Sequence, residues 1–126
     1  MKRILAGMFV CSVVAGCGER TKPTIDEHDL KRVAKNEVVR MLKDPDSAKF
    51  DYNVMVTKVD SLGTKDRYAV CGKVNAKNSF GGYTGEKRFI VPMYVTDQTD
   101  LTINDPIIET SNSEKFDLLH RTLCRY

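Results

Sequence analysis

Apolar residues follow three different rhythms along the chain, and each rhythm predicts a different element. From Leu30 onward, Leu30, Val33, Ala34, Val38, Met41 and Leu42 recur at spacings of three and four. Lys31, Arg32, Lys35, Glu37 and Arg40 fill the intervening positions, which predicts a helix with one face on a core. Thr24-Ile25-Asp26-Glu27 matches a capping box and predicts the start of that helix. Pro45 disfavours the α conformation for Asp44, so the helix is expected to stop near Lys43, with Asp44-Pro45-Asp46-Ser47 as a turn.

The rhythm then changes to two. In residues 52–59, Val54 and Val56 oppose Met55, Thr57 and Val59; in 67–76, Tyr68, Val70 and Val74 oppose Ala69, Cys71, Lys73 and Asn75. A third strand is expected over 87–95 through Phe89, Val91, Met93 and Val95. Pro92 has no N–H to give to a ladder, which predicts an edge position or a bulge. Residues 61–66 read as a connection, and the strands flanking 77–86 as an antiparallel pair. Residues 100–108 read as a short strand broken at Pro106. Ser111-Asn112-Ser113-Glu114 is another capping box, followed by Phe116, Leu119, His120 and Leu123 at helical spacing. The fold class expected is α+β: a small antiparallel sheet with an N-terminal and a C-terminal helix packed on it, one or both covering one face.

The third rhythm is a continuous apolar run over 4–14, behind Lys2 and Arg3 and ahead of Val14-Ala15-Gly16-Cys17. It is too short to span a bilayer and has the layout of an export signal. Val-Ala-Gly-Cys resembles the lipobox of bacterial lipoproteins. That resemblance implies a diacylglyceryl group on Cys17, cleavage before it and acylation of the new amine, whereas an ordinary secretory peptide would leave Cys17 as a thiol. Gly18 rather than Asp after the cysteine implies, by the same resemblance, the outer membrane. Several acyl chains make a stable anchor where one is reversible. The organisation expected is a signal peptide over 1–16, a lipidated tether over 17–23 that carries the membrane contact, and a single domain over 24–126.

Removing 1–16 from the 126 residues leaves 110, enough for one modest core, and removing Lys2 and Arg3 lowers the formal charge from +3 to +1. A nearly neutral domain argues against nucleic acid as a partner. Of the four cysteines, Cys11 lies in the removed run and Cys17 carries lipid, so Cys71 and Cys124 are expected to form a disulfide in an oxidising compartment. Closing so long a loop stabilises by roughly 4 kcal/mol in the chain-entropy model. No further ligands stand at metal-site spacing, and paired cysteines are not free thiolates, so neither a metal nor any other cofactor is expected.

The chemistry concentrates in residues 75–89, where Gly81, Gly82 and Gly85 mingle with aromatic rings, amides and basic groups. Such loops present aromatic anchors and adaptable polar groups to partners. The binding candidates are Asn75, Lys77, Asn78, Phe80, Tyr83, Lys87 and Arg88. The structural alternative is a hairpin in which Gly81 and Gly82 supply positive φ, Phe80 caps the core edge and the charges are merely solvated. Lys73, Lys77, Lys87 and Arg88 form a basic patch able to meet anionic headgroups or glycan. No phosphate-cradle motif is present. His28 and His120 lack an adjacent nucleophile and acidic orienter, and Asp44 with Asp46 lacks the further ligands of a calcium loop. Binding rather than catalysis is therefore expected, with no catalytic residue assigned.

Leu42-Lys43-Asp44-Pro45-Asp46-Ser47-Ala48-Lys49-Phe50, Val70-Cys71-Gly72-Lys73-Val74-Asn75-Ala76-Lys77-Asn78 and Gly81-Gly82-Tyr83-x-Gly85-x-x-Arg88-Phe89 together resemble a small exported domain of uncharacterised bacterial and prophage proteins. The resemblance spans about 33–95 and implies no established reaction. The function expected is that of an outer-membrane lipoprotein displaying a disulfide-stapled domain to an envelope protein or glycan. The prophage likeness implies exclusion of competing phage as one form of this, and inhibition of an envelope-attacking hydrolase such as lysozyme is the alternative.

Overall fold

The first helix begins two residues later than its capping-box signature. In the computed structural model, which describes residues 18, 22–111 and 114–125, α1 spans Glu27–Met41 with Asp26 as its N-cap. The Asp29 amide donates to Asp26 Oδ1 at 2.8 Å, and the Asp26 amide donates back to Asp29 Oδ2 at 3.4 Å. Thr24 loses this role for a tertiary reason: the Ile25 amide donates to the Gln98 carbonyl at 2.9 Å, and Ile25 packs against the core. The entering chain is thereby held extended. Leu30, Ala34 and Val38 are buried, as their spacing predicts, and Lys31–Glu27, Arg32–Asp29 and Arg40–Glu37 pair along the outer surface. The chain turns through a short 3-10 segment, Pro45–Ser47, where Ser47 Oγ donates to the Asp44 carbonyl at 2.8 Å. Cys17, the apolar run over 4–14 and part of the second capping box lie outside the described residues.

Six antiparallel strands follow: β1 Lys49–Phe50, β2 Met55–Leu62, β3 Lys65–Asn75, β4 Lys87–Thr96, β5 Asp100–Ile103 and β6 Ile107–Ile108. β3 and β4 form the centre, with Val70 opposite Val91 and Cys71 opposite Ile90. β1 and β2 share the other side of β3, and β5 and β6 share the other side of β4. The expected connection over 61–66 shrinks to Gly63-Thr64, because Leu62 pairs with Lys65 and Gly63 takes a φ of +62° that glycine adopts readily.

Pro92 is in a central strand, not at an edge. Its carbonyl accepts from the Asn104 amide at 2.9 Å, so its missing N–H falls where the neighbouring strand is interrupted between β5 and β6. Asn104, Asp105 and Pro106 there oppose only Val91 and Pro92, which places the bulge in the partner.

The pleat of β3 and β4 sorts the core onto two faces. Val70, Val74, Phe89, Val91, Met93 and Val95 pack with the apolar face of α1. Ala69, Cys71 and Ile90 point the other way, toward Phe116 of α2 (Glu114–Leu123) and toward Cys124. The helices therefore cover opposite faces. Cys71 and Cys124 are joined in a disulfide with their Cα atoms 5.9 Å apart, fastening the end of α2 to the centre of the sheet.

Gly72 is needed for packing rather than for φ. A Cβ there would lie 2.7 Å from Phe89 Cζ and 3.0 Å from Val54 Cγ2. Phe89 is wholly buried and meets Phe50 edge-on with centroids 5.8 Å apart, so it has no room to retreat. Gly72→Ala is expected to destabilise by about 1–3 kcal/mol in urea unfolding. Gly82→Ala, where nothing lies nearer than 3.9 Å, serves as the neutral control. Equal midpoints for the two variants would refute this account of Gly72.

Candidate functional site

The loop over 76–86 is built by its own amides. Asn78 Oδ1 accepts from the backbone N–H of Phe80 at 3.0 Å and of Gly82 at 3.2 Å. The Asn78 amide donates to the Gly82 carbonyl at 2.8 Å, and the Gly81 amide donates to the Asn78 carbonyl at 3.1 Å. Positive φ falls on Gly81 and Gly85, at +82° and +92°, and not on Gly82 as expected, because the left-handed turns lie at the tip and at the return of the loop. Asn75 Oδ1 holds the return of the loop by accepting from the Gly85 amide at 3.2 Å. Asn75 and Asn78 thus act first as braces.

A second set of contacts ties the loop to the turn after α1. The Lys77 amide donates to Ser47 Oγ at 2.8 Å, and the Tyr83 hydroxyl donates to the Ser47 carbonyl at 3.2 Å. Lys49 and Lys77 place their ammonium groups 4.5 and 5.6 Å from the centre of the Tyr83 ring, within cation–π range. The segment around Asp44-Pro45-Asp46-Ser47 and the Gly81-Gly82-Tyr83 segment, well apart in sequence, form one surface. Phe80 does not cap the core edge: it is 97% exposed at the tip of the braced turn.

Between this loop, the end of α1 and β6 lies a cavity of about 210 Å³. Met41, Leu42, Val74 and Ile108 contribute apolar wall, and Lys43, Lys77 and Lys87 are the charged residues of the lining. Lys43, Met41 and Ile108 had no place in the sequence-derived site; nothing local marks them, because they meet the loop only through the fold.

Arg88 leaves the group. Its guanidinium Nε and Nη2 donate to the two oxygens of Glu109 at 3.0 and 2.6 Å, and Nη2 also donates to Asp117 Oδ1 at 2.6 Å. Its carbon centre lies 5.2 Å from the Phe116 ring centroid. Hydrogen bonds from Arg88 hold the Glu109 carboxyl down to about 2, and the two carboxylates raise the Arg88 pKa further above its ordinary value. The charge of Arg88 is therefore engaged inside the molecule, tying β4 to Glu109 and α2. Beside this network His120 is buried and stacked on Phe116 at 5.9 Å, and burial, with Arg88 adding to it, pushes its pKa below the ordinary imidazole value.

At the start of α1, ligand atoms of Asp26, His28 and Asp29 approach within 4.8 Å of one another, with both carboxylates already used in the capping box. No helix among the described residues is long and apolar enough to cross a membrane. Comparison with known families, curated proteins and solved structures finds no match to this chain.

Proposed function

We propose that the chain is a lipid-anchored outer-membrane lipoprotein that displays a disulfide-stapled binding domain in the periplasm and engages an envelope protein or glycan through the loop over 76–86. The observation that carries this reading is the braced loop. Asn75, Asn78 and Ser47 supply its internal hydrogen bonds, so Phe80 projects from a backbone that is ordered before any partner arrives. Pre-ordering removes much of the entropy cost of association, and an exposed aromatic on a rigid turn is a typical anchor for a partner pocket. The cysteine of the lipobox-like segment supplies the address, and the chain reaches the fold through residues 22–25, free of the loop.

Two measurements test the reading. Cys17→Ala is expected to shift the protein from the membrane fraction to the soluble fraction on carbonate washing; full retention would defeat the anchor. A photo-reactive side chain at Phe80 is expected to form one dominant adduct in intact cells, while the same group at the equally exposed Tyr52 forms none. Identical adducts from both positions, or none from Phe80, would remove the loop from the binding surface.

A further inference from the structure

The cavity beside the loop is set apart by its charge. Its lining includes Lys43, Lys77 and Lys87 and no Asp or Glu. Other hollows on the domain differ: the one at Ile25 sets Asp26 and Glu27 beside Lys58, the one at Leu62 sets Asp60 beside Lys65 and Arg67, and the one at Gly63 is edged by Asp66 and Asp97. Of the eight described lysines elsewhere, Lys22, Lys31, Lys58 and Lys73 pair with Asp100, Glu27, Asp66 and Glu86, and Lys35, Lys49 and Lys65 stand over the rings of Phe50, Tyr83 and Tyr94. Among the described residues, Lys43 and Lys87 have no ion-pair partner within 4.0 Å, yet both line this one cavity. Both lysines line the same hollow as Val74 and Ile108, and an anion placed in it is favoured by both charges.

The position of the cavity selects the source of that anion. The chain enters the fold at one pole, where the Ile25 amide donates to the Gln98 carbonyl in the turn between β4 and β5 and Lys22 donates to Asp100 at the start of β5. α1 and β3 both run from that pole to the other, where Met41, Asn75 and the loop surround the cavity. Eleven residues of β3 separate the poles by roughly 35 Å at the usual rise per residue. The cavity thus lies at the pole opposite the one where Lys22 and Ile25 enter the fold.

We propose that this cavity binds a carboxylate of the anionic glycopeptide polymer of the cell wall, with Lys43 and Lys87 supplying the charge and the apolar wall receiving the carbon skeleton. The inference rests on the anchored-display reading above, which decides between the wall and the phosphates of lipid headgroups.

The test is co-sedimentation of the detergent-solubilised lipoprotein with purified peptidoglycan sacculi. Binding is expected to weaken with salt and to be competed by soluble muropeptides, but not by glycerophosphoglycerol, which carries the phosphate of an anionic headgroup without its tails. Lys43→Gln with Lys87→Gln is expected to weaken binding roughly tenfold, the effect of two modest charged contacts together. Both side chains are exposed, so the fold is not at stake. Lys115→Gln with Arg121→Gln, which removes the same charge from α2, is expected to leave binding unchanged. The proposal is overturned by absence of co-sedimentation, by equal losses in the two double variants, by no loss in the first, or by competition from glycerophosphoglycerol. Should the Phe80 adduct form while the Lys43/Lys87 variant binds sacculi undiminished, the display reading survives and the anion site alone is lost.

Discussion

Replacing Cys71 and Cys124 together by serine is expected to destabilise the domain by about 4 kcal/mol and to release α2 before the rest unfolds. The bond links residues 53 apart in sequence, so it removes a large part of the freedom of the unfolded chain. α2 is also a ten-residue helix, shorter than a helix that persists alone in water. Its attachment includes Phe116, Leu123, the buried His120 and the disulfide, together with the Arg88–Asp117 pair, while Leu118 and Leu119 are exposed. Urea unfolding with and without reductant measures the loss. Hydrogen exchange locates it: amides of α2 should exchange quickly in the variant while those of β3 and β4 remain protected. A variant within 1 kcal/mol of the native protein, with α2 still protected, would show that the staple is dispensable.

Arg88→Ala is expected to be the costliest polar substitution, at about 2–3 kcal/mol, because it leaves the part-buried carboxylates of Glu109 and Asp117 facing each other without a cation. Arg88→Lys should recover less than half, since an ammonium cannot repeat the forked contact with Glu109. The same network makes stability fall in acid. Glu109 is held to about 2 in the folded chain against an ordinary value of 4.5, so its contribution is complete above about pH 5 and drains away as the pH falls toward 2. Partial exposure of the group reduces the full linkage value to about 2 kcal/mol. His120 acts in the same direction at milder pH: its folded pKa is lowered, so the unfolded chain takes up a proton first as the pH drops below the ordinary imidazole value. Unfolding free energies across pH 2 to 8 check both parts, and Glu109→Gln should flatten the steep limb. A native profile as flat as that of Glu109→Gln would discard the assignment.

The helical spacing of Leu30, Ala34 and Val38 and the alternation of Val70 and Val74 against Ala69 and Cys71 were readable because burial repeats with the geometry of each element. The cysteine pairing was readable by elimination once two of the four were assigned elsewhere. Pro92 shows where local rules stop. Proline forbids one donor but does not say which neighbour is absent, and here a break between β5 and β6 lets it occupy the centre of the sheet. The start of α1 shows the same limit: Thr24 and Asp26 both offer a cap, and the hydrogen bond from Ile25 to Gln98 decides between them.

Within the loop, residue type marked a candidate surface but could not apportion it. Lys77, Lys87 and Arg88 carry the same charge and lie close together, yet Arg88 meets Glu109 and Asp117 while Lys87 faces the cavity. Alternation along β4 separates them, and which face finds a carboxylate depends on segments 21 and 29 residues further on. By itself, then, the sequence determined the antiparallel α+β class, the identity of most core positions and the disulfide, all of which follow from periodicity and covalent arithmetic. Only the tertiary structure decided that the helices cover opposite faces, that Arg88 is a tie and Phe80 a projection, and that Lys43 joins the loop. Those outcomes depend on which distant segments share a pole or a face, and no local pattern encodes that.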